Sequence, residues 1–278
     1  MLRTASRDPP SPSASRCLLC SSSIAERNAS SSVASTEGAA VPEHHVLLTL
    51  FEGLVRMNPA TLEPTPGVAE SWEVSPDGLV YTFHLRKDAK WSNGDPLTSK
   101  DFAYAWRRCL MPTLAGEYAY MLFPMKNARA FNEGKITDFA QVGCEFPDDH
   151  TVKVTLENPT PYMFQLQCHY TWFPVHQKSI EAAGPIDDRG SKWTRPGSFV
   201  GNGPYQLTRW VPNKVIEVRP NPNYWDAAGV KNGGVDFYPV NEEQTEERMF
   251  RAGELDITEN VPPAKVAGYK NDRPEVLR

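Results

Sequence analysis

Two kinds of residue in this chain could carry chemistry: carboxylates gathered at Glu242, Glu243, Glu246 and Glu247, and ring nitrogens and thiols at His44-His45 and Cys17-Leu18-Leu19-Cys20. Glycan hydrolysis would need two acids about 5 to 10 Å apart across a cleft, and no pair here is spaced to provide them. The four glutamates fall instead at the start of a predicted helix, where acids on an exposed face answer the positive end of the helix dipole. Consecutive histidines lie on different helix faces, so they do not close on one ion as i, i+4 neighbours can. The thiols of 17–20 lack the second pair that a four-ligand zinc site needs. No GxSxG, HExxH, P-loop or GxGxxG string occurs, and Gly201-Asn202-Gly203-Pro204 lacks the lysine and helix start of a phosphate cradle. The chemistry left is recognition: no catalytic residue, cofactor or metal is expected.

Recognition by rings has more to draw on. Seven tryptophans, Trp72, Trp91, Trp106, Trp172, Trp193, Trp210 and Trp225, read mainly as core and loop anchors, because burial of so large a side chain dominates local packing. Tyr118, within LAGEYAY, offers a rigid ring with a polar tip, suited either to a ligand's backbone or to a buried bond with the protein's own. Glu259 and Asn260, in RAGELDITENVPP, read from their charge alone as part of a solvated acidic loop.

The elements that must position these groups are legible from spacing. Val80 to Arg86 alternates, Tyr81, Phe83 and Leu85 against Val80, Thr82, His84 and Arg86, the period of a half-buried strand entered through the turn Ser75-Pro76-Asp77-Gly78. Thr151 to Glu157 alternates in the same way, which predicts an antiparallel or mixed sheet with one wet face. Thr98-Ser99-Lys100-Asp101 resembles a capping box with a short acid; Phe102, Ala105, Trp106 and Cys109 form the buried stripe of the helix that follows. Leu47, Leu50, Phe51 and Leu54 predict an amphipathic helix from about Pro42 to Gly53–Val55. Further strands are predicted at 203–211, 214–219 and 235–240, and a helix over 242–252 stopped by Gly253.

Composition sets outer bounds. With 29 basic and 34 acidic side chains the net charge is −5, which disfavours a platform for nucleic acid. No run reaches the ~18 apolar residues of a membrane span. Five cysteines at wide spacing form no disulfide framework. Residues 1–40 carry eleven serines and few large apolar side chains, which predicts a disordered N-terminal segment.

Six strings in fixed order, VPEHHVLLTLFEGLV, the 66–108 block, DDHTVKVTLENPTPYMFQLQ, GNGPYQLTRWV, NPNYWD and RAGELDIT, span about Val41 to Arg278. In this arrangement the chain resembles the extracytoplasmic solute-binding proteins of peptide ABC transporters, the oligopeptide- and dipeptide-binding family. The resemblance implies a mixed α/β fold: a class II periplasmic-binding-protein lobe over 41–278, with an inserted subdomain at roughly 55–165 and lobe-one strands at roughly 166–260. It implies a monomer that captures an extended peptide in a cleft between two lobes and delivers it to a permease and ATPase at the membrane. It places Tyr118 in the peptide cleft and Glu259 and Asn260 on its hinge side, where they could meet a ligand amine or amide. The family is longer, so the resemblance further implies a truncated chain whose second lobe is largely missing, its opening strand replaced by the Ser-rich segment, and weak or absent peptide binding. It also implies a periplasmic or extracytoplasmic setting, although residues 1–40 contain no recognisable export signal. The rival expectations are a non-transporting remnant or interaction module and a glycan-acting hydrolase; nickel chelates and haem, hosted by relatives, are the other ligand classes.

Overall fold

Gly78 occupies the left-handed region at φ 69° and donates its amide to the Ser75 carbonyl at 2.8 Å, closing the predicted turn. In the computed structural model, which describes residues 15–19 and 41–277 apart from Asn241 (backbone only at 15–19 and 41–43), this turn joins β4 (Ala69–Val74) to β5 (Val80–Leu85). Tyr81, Phe83 and Leu85 are buried, as the alternation predicts. β5 pairs antiparallel with β7 (Thr151–Thr155), and β6 (Cys144–Asp148) completes a sheet of order β4-β5-β7-β6. A short ribbon, β2 (Val55–Met57) with β3 (Pro64–Pro66), precedes it.

The second large sheet is mixed, with order β1-β10-β9-β8: β1 (Ser15–Leu19), β8 (Tyr205–Val211), β9 (Val215–Pro220) and β10 (Val235–Pro239). β1 runs parallel to β10 from Ser15 opposite Val235 to Leu19 opposite Pro239. Within the segment expected to be disordered, Ser15–Leu19 is therefore a strand. Its backbone groups find a parallel partner more than two hundred residues away, which local composition does not encode. The remaining residues of 1–40, Cys20 among them, lie outside the described residues.

α1 (Val41–Leu50) buries Leu47 and Leu50, and Phe51 and Leu54 continue inward beyond it. It stops short of the predicted end because the Leu50 carbonyl accepts from Gly203 at 3.0 Å. A Cβ at Gly201 would lie 2.2 Å from that same oxygen, so the GNG string lets a distant backbone reach the helix end. α2 (Ser99–Leu110) starts at the predicted cap, Asp101 accepting from the Thr98 amide at 2.8 Å, and buries Phe102, Ala105, Trp106 and Cys109. α3 (Ala128–Asn132), α4 (Met163–Gln167) and α5 (Gln177–Ala183) are short. One apolar core runs from α1 through both sheets, with Trp91, Trp106, Trp172 and Trp193 wholly buried. Cys109, Cys144 and Cys168 are free thiols, pushed up by burial to about 12, 12 and 11.

α6 (Glu243–Arg251) ends where Gly253 adopts φ 73°. The exposed acidic face predicted for its start needs correcting. Glu246 and Glu247 are buried, because the chain folds back over them through 256–262 and α7 (Pro263–Asp272). Glu246 accepts from the backbone amide of Glu259, while Glu247 binds the ammonium of Lys265 and the Tyr269 hydroxyl. The ammonium beside Glu247 holds its carboxyl below the usual range.

Candidate functional site

Just past the end of α1 sits a buried acid, Glu52, 4% exposed. Its carboxylate accepts from the Tyr224 hydroxyl at 2.5 Å and the Trp225 indole at 2.6 Å, and Arg56 Nε lies 3.5 Å away. The Arg86 guanidinium stacks 3.6 Å over the Trp225 ring. Asn202 clasps the Glu52 backbone from both sides, accepting from its amide at 3.1 Å and donating to its carbonyl at 2.8 Å. Burial raises the Glu52 carboxyl above its ordinary value, while the two donors and the two guanidinium groups oppose that rise. The NPNYWD string thus works as a lock: Tyr224 and Trp225 close on an acid far earlier in the chain.

Beside this lock opens a cavity of about 520 Å³. Leu48, Phe51, Val55, Met57 and Phe173 make its apolar wall; Glu52, Arg56 and Tyr224 reach it from the lock, and His44 and His169 from the other side. Those histidines belong to a continuous rim of rings. Tyr118 lies 5.5 Å from His169 by ring centroids and 6.5 Å from Tyr170; His169 and Tyr170 are 4.0 Å apart; Tyr170 is 5.9 Å from His44, and His44 is 6.2 Å from His45. His45 Nδ1 in turn stands 3.9 Å from the Glu259 carboxylate.

The rim is held from beneath. Trp106 on α2 donates to the Trp172 carbonyl at 3.0 Å and Trp172 donates to Met121 at 3.2 Å, so the 170–172 turn and the loop after Tyr118 are stapled to one core. His169 Nδ1 accepts from the Thr171 amide at 3.3 Å and lies 2.7 Å from the Thr171 hydroxyl, so the ring is tied to the 170–172 turn. Burial lowers His169 to about 4, with His44 adding to the effect, and lowers His44 in the same direction. Both imidazoles are therefore neutral at pH 7.

The structure brings two of the three predicted site residues, Tyr118 and Glu259, to opposite ends of this rim. Asn260 is exposed and does not line the cavity; with Glu259 it borders a separate hollow of about 450 Å³ near Phe250, Tyr269 and Leu277. Sequence reasoning missed the lock, His169 and the cavity. It placed His44 and His45 on different faces, and each indeed has its own partner, Tyr170 for one and Glu259 for the other. Trp225, read as a loop anchor, anchors through a carboxylate, that of Glu52. No cluster of three metal-ligating groups occurs among the described residues.

Three comparisons bear on this arrangement. The profile of "Bacterial extracellular solute-binding proteins, family 5 Middle" matches residues 63–276. The periplasmic oligopeptide-binding protein OppA of Escherichia coli K12 is 41% identical over 230 residues, 81% of this chain and 40% of that protein. The oligopeptide-binding protein OppA of Bacillus subtilis is 40% identical, over 82% of this chain and 42% of its own. The structure of the Escherichia coli murein tripeptide binding protein MppA superposes with a TM-score of 0.83 at 35% identity, covering 94% of this chain and 48% of that one. Haemophilus influenzae OppA in complex with RPPGFSPFR gives 0.79 at 36% identity, over 94% and 49%. The chain thus spans about two fifths of the length of the curated relatives it matches.

Proposed function

The chain belongs to the bacterial extracellular solute-binding proteins, family 5, and from that premise we propose that it supplies one wall of a peptide-capturing cleft in the binding component of an ABC importer. The observation that carries this reading is the ring rim that links Tyr118 to Glu259 beside an open cavity. In the proposed cycle an extended peptide lies along the rim, its main chain pairing with protein backbone while side chains enter roomy pockets. Tyr118 packs against the ligand backbone; Glu259 and the exposed Asn260 face its amino or amide groups. A second lobe closes over the guest by a hinge motion, and the closed form is what a permease and ATPase at the membrane receive. The protein acts outside the cytoplasm and as a monomer, with residues 55–165 forming a subdomain inserted into the lobe. No bond is made or broken.

Calorimetric titration with short peptides tests the proposal, on the 278-residue chain and on a chimera that continues it with the remaining length of Escherichia coli OppA. Saturable binding by the chimera, with weak or no binding by the chain alone, is expected. Absence of binding by both, or turnover of any peptide or glycan, would overturn it.

A further inference from the structure

We infer that the cavity beside the rim is a subsite for one uncharged aromatic or aliphatic side chain, the anchoring residue of a bound peptide; the inference rests on the peptide-binding reading. Four observations carry it. The wall is apolar, and Leu48 at its mouth leaves 40% of its surface open to water, so a guest that covers Leu48 gains burial on both partners. The volume, about 520 Å³, lies within the roughly 300–1,000 Å³ of small-molecule clefts.

The polar groups that reach the cavity offer no uncommitted charge. Both Glu52 oxygens are taken, one by Tyr224 and one by Trp225. Arg56 spends its Nε on the Pro66 carbonyl at 3.1 Å and faces Glu52 at 3.5 Å, so an acidic guest would compete with a carboxylate already in place. His44 and His169 enter as neutral rings, a state favoured by their burial and then by His45 beside His44 and His44 beside His169. A lysine side chain would lose its hydration here with both Glu52 oxygens already committed, and an aspartate would have to share Arg56 with Glu52. Lastly, the sulfurs of Met57 and Cys168 line the same space, and polarisable sulfur packs well on aromatic rings.

Single capped residues probe the site without requiring a second lobe. N-acetyl-phenylalanine amide, N-acetyl-lysine amide and N-acetyl-aspartate amide are titrated into the 278-residue chain, with the Met57 methyl and the His44 and His169 ring signals followed by NMR. The phenylalanine amide is expected to shift all three saturably and at least about tenfold more tightly than the charged amides. Leu48→Glu, at an exposed position, should weaken it about tenfold with the melting temperature unchanged, whereas Leu48→Met should retain it. Equal response to the three amides, shifts indifferent to Leu48→Glu, or no saturable shift would each overturn the inference. Peptide binding by the chimera without an apolar preference at any ligand position would remove the subsite and leave the proposed function standing. Selective amide binding with no peptide binding by chain or chimera would do the reverse.

Discussion

The Glu52 lock and the ring rim border the same cavity and treat polar groups in opposite ways. In the lock every strong group is answered: carboxylate by phenol and indole, indole face by guanidinium, helix-end backbone by Asn202. Along the rim burial lowers His44 and His169, and the rings keep contacts about 4 to 6 Å apart. A network of charged hydrogen bonds fixes geometry, and a row of ring faces offers aromatic surface to a guest. Stability should therefore concentrate at the lock and recognition at the rim.

The sharpest way to break this contrast is Glu52→Ala, which strands the Tyr224 hydroxyl, the Trp225 indole and two nearby guanidinium groups. A loss of about 3–5 kcal/mol in urea unfolding is expected, as for other buried charges deprived of a partner. Glu52→Gln should lose less, since one acceptor oxygen survives. Asn202→Ala removes both clasps on the Glu52 backbone and should destabilise by about 2–3 kcal/mol by the same measurement. Gly53→Ala tests the lock's seam with the cavity: a Cβ there would meet the Phe173 ring at 2.6 Å, and about 1–3 kcal/mol is expected from the overpacking.

The rim should answer to pH through its two half-buried imidazoles. His169 falls from its ordinary 6.5 to about 4 in the fold, and His44 shifts the same way. Between those values the unfolded chain binds the more protons, so stability is fully present above about pH 6.5 and declines as pH falls toward 4. An NMR titration should place the His169 midpoint near 4, and a midpoint near 6.5 would show that the ring is not held as described. Tyr118→Phe should be the mildest change, within about 0.5 kcal/mol in stability, while weakening peptide capture by the chimera.

The same contrast divides what was legible in the sequence from what was not. The Ser75–Gly78 turn, the inward face of β5 and the Asp101 cap depend on neighbours within a few positions, and each stands where spacing puts it. Tyr118 and Glu259 were legible as candidates only through family resemblance, and their shared rim was not, because it runs through His169 and Tyr170 in one stretch and His44 in another, both far from Tyr118 and Glu259 in the chain. Glu246 and Glu247 misled for the same reason: the periodicity of α6 shows acids on one face but not that 256–269 folds over it. The early end of α1 is likewise decided by Gly203, far along the chain.

Glu52 meets its side-chain partners 172 and 173 residues downstream. At translation rates of about 5–20 residues per second, the first helix waits roughly 10 to 35 s on the ribosome before both hydrogen-bond donors to this acid have been made. Nascent chains released before Trp225 would therefore lack the clasp, and a holding chaperone would find its opportunity in that interval.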